Sequence, residues 1–475
     1  MKNMPERKIK TQKGESISVG IVINIIAVTI LKCFAVFTSP YITEVLDTGN
    51  YGNMSAYNTW AGIVCTIAGL GSASTLVNFK FAYGDDDYDK YCWNSLKLGS
   101  LAHFICLGLC TLFWEPIKQI IELPYEAIPL IVFSAFCQYV VNYYSAYLIN
   151  ESRALRNVFF SLISTIGGFI LSVIFVVSKM FSGHDVFISF ILGYTFVNFA
   201  LSIYILVYFW RGGAGKFNLK YASFAIKIGI PIVFHLLSAT VLGSSDRLMI
   251  KGMIGAGESG TYSYAYNFAN ILYGVWSAIN AIWMPFYFQS MKCDDQDMIE
   301  KRRKNFDVLY CCLVIGFLMV YPEVYKGIAN ERYWVTLDVV PIVVVAFVFN
   351  HIYSFSQGYE SFKQRTTFIA TGTILTAIVN VILNCILIPR YANYGAAIAT
   401  VLSYILLYVF HKISAKYIIK KYPLSSYNDL PFMFVCILAV ALSYILFDMI
   451  SLRWSIAVVV GVFMVARIIK NRTIL

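Results

Sequence analysis

VLGSSDRLMIKGMIGAGESGTYSYAYNFANI, Val241 to Ile271, closes one apolar run and places an Asp246-Arg247 pair at its edge. It then turns through Gly252, Gly255, Gly257 and Gly260 and opens another run. An earlier stretch echoes it without a gap. At an offset of 208, Gly257, Gly260, Ser263 and Ala269 fall on Gly49, Gly52, Ser55 and Ala61. A second echo lies at an offset of 209. Glu151-Ser152-Arg153-Ala154-Leu155-Arg156 and Glu360-Ser361-Phe362-Lys363-Gln364-Arg365 both read E-S-x-x-x-R. Two echoes at nearly one offset imply a duplicated chain, each half opening with helix, glycine turn, helix.

Composition supplies the medium. The 475 residues are 59% hydrophobic and 13% charged, with mean hydropathy +0.67. A soluble protein carries about 25% charge. The chain is therefore a polytopic membrane protein. Cysteines such as Cys65, Cys137 and Cys436 sit in apolar runs, with no CxxC or Cys/His ligand spacing, and read as small packing residues. The basic arm 1–17 runs straight into a span-length segment, so no cleavable signal peptide is expected.

A span needs about 20 mostly apolar residues, and continuous rather than alternating runs select helices. Fourteen are expected, near 18–39, 54–80, 94–114, 126–149, 157–178, 184–209, 221–245, 260–287, 306–322, 336–356, 367–388, 393–415, 430–447 and 453–468. This divides the chain into an N-terminal six-helix lobe (18–210), an inter-lobe loop (211–220), a C-terminal six-helix lobe (221–415) and a loop (416–429). Two extra helices and a tail (430–475) follow. The halves start six helices apart, so both face the same way, and their pseudo-twofold axis runs along the membrane normal.

The distribution of basic residues fits that map. With the N-terminus placed in the cytoplasm, 28 of the 37 Lys and Arg fall on cytoplasmic segments and 8 on the outer side, leaving Lys32 within a span. That is the positive-inside pattern. Both termini are expected in the cytoplasm, in a multi-pass protein of the cell membrane. Topology accounts for the net charge of +11, and a nucleic-acid partner has no place.

Few residues carry chemistry. Lys32 lies inside the first span, where a cation costs about 2.5–3.5 kcal/mol on insertion scales. An anionic headgroup in a central cavity is the preferred reading, and snorkelling to the interface the competing one. Asp246-Arg247 reads either as a lobe-closing ion pair or as an interfacial anchor. Glu151, Arg156, Glu360 and Arg365 read as an inner gate, as an anionic-lipid contact, or as plain positive-inside charge. His235, four residues after Pro231 in the seventh span, has the chemistry for proton coupling, although a satisfied buried histidine is the commoner case. Pro40 and Pro231 mark kinks or helix ends in the first helix of each lobe. Amides at Asn142, Asn267, Asn270 and Asn350 face the bundle interior or a wet cavity rather than lipid. Enzyme motifs are missing. Gly212-Gly213-Ala214-Gly215-Lys216 is followed by Phe217 where a P-loop requires Ser or Thr. No cofactor is expected, and the candidate driving forces are an H+ or Na+ gradient or substrate turnover.

Leu242 to Tyr266 resembles the seventh-helix signature of Wzx-type polysaccharide flippases, in the superfamily that holds MATE exporters and lipid II flippases. Ile388-Pro389-Arg390-Tyr391-Ala392-Asn393-Tyr394-Gly395-Ala396-Ala397-Ile398-Ala399-Thr400 resembles the same family's entry into the twelfth helix. The resemblance extends over essentially the whole chain in length, helix count and duplication. It implies a V-shaped pair of lobes around a cationic cavity. It also implies transfer of undecaprenyl-pyrophosphate-linked oligosaccharide from the cytoplasmic to the outer leaflet, with Lys32 the candidate partner of the pyrophosphate. Implied partners are the lipid-linked oligosaccharide, the bilayer, and the polysaccharide polymerase and chain-length machinery. Two other readings stay open. A MATE-like antiporter would need mid-span carboxylates, and the N-terminal lobe has none. A non-transporting scaffold would not need duplicated lobes with polar interiors.

Overall fold

The structure, a computed structural model, describes residues 17–84, 87–181, 183–213 and 217–471. In lipid the backbone must satisfy its own polar groups, and among the described residues every membrane-crossing element is a helix. Helix α1 is Ile17–Val45, and α2 is Thr48–Ala68, resuming after a kink as Ser72–Tyr83. Then come α3 (Tyr88–Leu112), α4 (Ala127–Asn150), and α5 (Ala154–Leu162, passing through a π turn into Gly168–Val177). Helices α6 (Val186–Gly213), α7 (Leu219–Met253), α8 (Ala256–Lys292), α9 (Gln296–Ile328) and α10 (Val339–Phe362) follow. The segment Thr366–Ile413 is two helices, α11 and α12, folded back at Ala392. Helices α13 (Leu430–Ile445) and α14 (Ile450–Asn471) end the chain.

Among the described residues these fourteen helices thus stand close to the expected spans. The largest differences are extensions: α7 runs to Met253 and α9 begins at Gln296. Between α7 and α8 only Gly255 leaves the helical range, at φ +144°. Gly252, Gly257 and Gly260, expected in the turn, are helical. Pro40 and Pro231 likewise sit inside continuous helices.

The duplication is visible in three dimensions. Helix α1 ends at Val45 and α2 starts at Thr48, while α7 ends at Met253 and α8 starts at Ala256, each pair 208 residues apart. Helix α1 packs on α5, α8 and α9, and α7 packs on α11, α2 and α3 as well as on α8. Apart from α8, these are the same neighbours transposed by six helices. The first helix of each lobe therefore leans on the other lobe.

The extra pair α13–α14 is held by buried charge. Arg303 of α9, 1% exposed, donates from Nε to Asp307 (3.2 Å) and from Nη2 to Asp429 (2.7 Å). Lys412 of α12 reaches the same Asp429 at 2.8 Å, and Tyr427 reaches Asp307 at 2.9 Å. Trp276 Nε1 donates to His351 Nδ1 (3.1 Å), which leaves His351 Nε2 to donate to Asp307 (2.8 Å). Arg453 of α14 pairs with Glu323 and donates to the Met319 carbonyl at 2.9 Å. Each buried charge is matched by an opposite one, the condition under which ions tolerate a low dielectric.

Candidate functional site

The site forms where α7 and α8 diverge from Gly255. Because α7 continues to Met253, Asp246 and Arg247 lie within it rather than at its edge. Asp246 is 1% exposed and accepts from the Tyr262 hydroxyl (2.5 Å) and the Arg247 amide (2.9 Å). It fastens α8 to α7 inside one lobe. Arg247 turns the other way. Its Nη2 donates to Asn267 Oδ1 (3.1 Å), and its guanidinium lies 5.0 Å from the centre of the Tyr266 ring. Asn267 Nδ2 in turn donates to the Tyr51 hydroxyl of α2 at 3.2 Å. Arg247, Asn267 and Tyr51 thus make a polar relay from one lobe to the other. The buried Nε of Arg247 has no partner.

Two cavities meet at this relay. One, of about 300 Å³, lies against α1 and α2 and is lined by Thr38, Ser39, Tyr51 and Tyr264. The other, of about 370 Å³, lies within the second lobe and is lined by Arg247, Tyr266, Asn350 and Thr373. Asn267 and Asn270 belong to both walls. Asn350 is 3% exposed, and its Nδ2 has no protein partner. His235 sits at the margin, with Nδ1 3.1 Å from the Thr373 hydroxyl. No carboxylate stands among the described lining residues of either cavity. A guanidinium suits a phosphate oxygen pair, and unpaired amides and hydroxyls suit sugar hydroxyls.

The structure therefore brings Arg247, Asn267, Asn270, Asn350 and, at the rim, His235 together. Asn142 is exposed on α4 and lines neither cavity. Lys32 lies on α1, two residues before the lining Phe34, and its side chain is outside the described residues. The E-S-x-x-x-R residues are bonded within their own lobes. Glu151 pairs with Lys80 (2.6 Å), and Arg156 donates to Tyr204 (2.7 Å). Glu360 pairs with His411 (2.7 Å), and Arg365 meets Glu360 only through the backbone, 2.8 Å from its carbonyl.

The lobes are joined instead at the end of the bundle where α2 and α8 begin. Ser39 and Tyr264 share a 2.6 Å hydrogen bond. Arg332, in the 3₁₀ turn Glu331–Thr336, donates to the Thr43 and Glu44 carbonyls, both at 2.7 Å. Tyr333 donates to the Leu46 carbonyl (2.8 Å), and Asn330 donates to Glu44 (2.8 Å). Below this latch α2 and α8 touch backbone to backbone. A Cβ on Gly52 would lie 1.9 Å from the Ala256 carbonyl oxygen, and one on Gly260 1.8 Å from that of Thr48. In the sequence only the glycines hinted at this seal, because the 3₁₀ turn has the composition of an ordinary loop.

Solved structures share the fold. The lipid II flippase MurJ, in an inward closed conformation, matches with a TM-score of 0.59 at 14% identity, over 95% of this chain and 99% of its own. A MATE transporter in complex with MaL6 matches with a TM-score of 0.58 at 15% identity, over 85% and 99%. An inward-facing multidrug resistance MATE transporter of the MOP superfamily matches with a TM-score of 0.59 at 13% identity, over 84% and 98%. No curated protein matches the chain significantly in sequence. The family model for polysaccharide biosynthesis proteins (Polysacc_synt) matches residues 18–291, a stretch that ends with α8 and takes in both glycine turns and the Arg247 relay. With the MOP-type fold around it, the chain belongs to the polysaccharide biosynthesis protein family.

Proposed function

We propose that the protein carries lipid-linked oligosaccharide repeat units from the cytoplasmic to the outer leaflet of the cell membrane by alternating access, for surface polysaccharide assembly. The observation behind this reading is the Arg247 guanidinium in a cavity wall of amides and hydroxyls that lacks carboxylates among the described residues. Arg247 takes the pyrophosphate, and Asn267, Asn270 and Asn350 take sugar hydroxyls. A sugar hydroxyl carried unpaired through hydrocarbon costs about 4–8 kcal/mol, so a glycan of several sugars needs a polar path. The lipid tail has no such need and stays in the bilayer. A cationic cavity also fits an exporter of cationic drugs poorly, which sets the MATE-like alternative second.

The charge pattern supports cytoplasmic termini, so the latched end faces outward in this conformation. An H+ or Na+ gradient is the coupling force in this reading, and a polysaccharide polymerase with its chain-length machinery receives the product. The test is a deletion strain in a host without a second flippase. Surface polymer should vanish while intact lipid-linked repeat units accumulate on the cytoplasmic face. Normal polymer with no trapped intermediate would overturn the reading.

A further inference from the structure

A further cavity lies away from the relay, at the end of the first lobe that the charge pattern places in the cytoplasm. It holds about 530 Å³ and is lined by Asp89 of α3 and by Tyr204, Tyr208, Phe209 and Arg211 of α6. The first E-S-x-x-x-R stretch borders it. Arg156 donates to the Tyr204 hydroxyl at 2.7 Å, and its guanidinium lies 5.3 Å from the centre of the Tyr208 ring. Arg153 is within electrostatic reach of Tyr208. Asp89 accepts from the Tyr147 hydroxyl at 3.3 Å, and Glu151 is paired with Lys80 at 2.6 Å. Among the described residues around this mouth, Arg153, Arg156 and Arg211 thus stand against Asp89. Leu155 and Phe159 of α5 and Ile203 and Trp210 of α6 are exposed beside them. An apolar wall that faces hydrocarbon therefore runs up to a group of guanidinium ions.

The duplication shows what becomes of the same place in the second lobe. The 209-residue offset carries Tyr147 and Asn150 onto Ser356 and Tyr359. Tyr147 backs the first-lobe cavity, 5.0 Å from Phe209 between ring centres. At Ser356 and Tyr359 the chain's own linker to α13 covers the helix ends. Tyr359 donates to the Lys420 and Lys421 carbonyls (2.6 and 2.9 Å), and Ser356 donates to the Tyr422 hydroxyl (3.4 Å). Tyr422 and Leu424 of that linker are buried. In the first lobe the described residues leave the corresponding place open as the cavity.

We propose that this cavity binds an anionic glycerophospholipid of the inner leaflet, of the phosphatidylglycerol type, which fills in the first lobe the place that the linker fills in the second. The lipid phosphate meets the arginines, as basic pockets between membrane helices on the cytoplasmic side take anionic headgroups. A guanidinium offers a planar fork to two phosphate oxygens. The headgroup hydroxyls donate to Asp89, and the acyl chains lie along the exposed residues of α5 and α6. Nothing in this assignment depends on what the central cavities carry.

The test is photo-crosslinking of the full chain in phosphatidylcholine nanodiscs. One sample carries a small fraction of phosphatidylglycerol with a diazirine in an acyl chain, the other a phosphatidylcholine probe with the same chain. Peptide mapping should find 153–160 and 203–212 labelled about tenfold more by the anionic probe, since one arginine at the membrane surface is worth about fivefold. Arg153→Gln, Arg156→Gln and Arg211→Gln together should bring the two probes level there. Equal labelling by both probes in the wild type overturns the proposal, whatever the fate of the triple variant. So does an excess that survives in a folded triple variant. The same excess at 363–365 and 416–421 also overturns it, because the anionic probe then follows diffuse charge. A phosphatidylethanolamine probe that labels as strongly as phosphatidylglycerol overturns it as well, because net charge is then not read. Glycan transfer is not measured, so the site stands or falls apart from the function proposed above.

Discussion

Gly52 and Gly260 occupy equivalent positions in the two lobes, and each presses its α-carbon against the other lobe's backbone where no methyl group fits. The contact is reciprocal, since Gly52 meets Ala256 and Gly260 meets Thr48, the residues that begin α8 and α2. A carbonyl cannot yield as a side-chain tip does. Gly52→Ala or Gly260→Ala should therefore part the lobes at the latched end, since overpacking costs about 1–3 kcal/mol. A cysteine at cavity-lining Thr38 should react with a membrane-impermeant thiol reagent from that side on the order of tenfold faster in either variant. Unchanged labelling would mean the seal lies elsewhere.

Arg247 separates charge from geometry. Charge-assisted hydrogen bonds are worth about 1.5–3 kcal/mol, so Arg247→Gln should weaken capture of a pyrophosphate-bearing lipid by about ten- to a hundredfold. Arg247→Lys should recover only part of this, because an ammonium lacks the planar fork. Transfer of a fluorescent lipid-linked sugar in proteoliposomes, normalised to folded protein, reads both. Equal activity in all three proteins would remove Arg247 from the site.

Asn350 offers a test that separates function from folding. Its Nδ2 is buried without a protein partner, so Asn350→Leu removes an unpaired donor rather than a bond. Thermal stability should hold or rise, because an unsatisfied buried polar group costs about 1–3 kcal/mol. Transfer should fall. A drop in Tm with transfer intact would assign Asn350 to packing.

The Arg303 clamp should behave in the opposite way. Arg303→Met leaves Asp307 without a cation in the interior and Asp429 with Lys412 alone, and breaking a buried pair costs about 3–5 kcal/mol. Tm in detergent should drop by several degrees. Adding Asp307→Leu should win back part of the loss, because the carboxylate left without a cation is then gone while Asp429 keeps Lys412. A single variant as stable as the wild type would show that the clamp does not hold α13 and α14.

Much of this was legible in the chain. Apolar runs marked the fourteen crossings, and the 208-residue echo led to the glycines that touch. Hydropathy failed wherever a helix outlasts its contact with lipid. The run into α7 breaks at Ser244-Ser245, and the charges behind it looked like a membrane surface, yet Arg247 faces a polar cavity within the helix. Arg303 and Asp307 were hidden in the same way by the charged stretch that opens α9. Amides were easier to place, since only an inward position tolerates them, but Asn142 is exposed outside both cavities. Arg332 and Tyr333 of the latch depend on backbone carbonyls of Thr43, Glu44 and Leu46, which leave no trace in side-chain identity.

The offset that pairs Gly52 with Gly260 also pairs Ser39 with Arg247. Ser39 bonds Tyr264 across the lobes, whereas Arg247 faces the cavity. Two identical half-chains meeting about the same axis could not divide the labour in this way. An arginine in one would face an arginine in the other across a narrow space, and a serine in both would leave no cation at either place. Joining the halves in one chain lets a single locus hold the lobes together in one copy and carry the charge in the other.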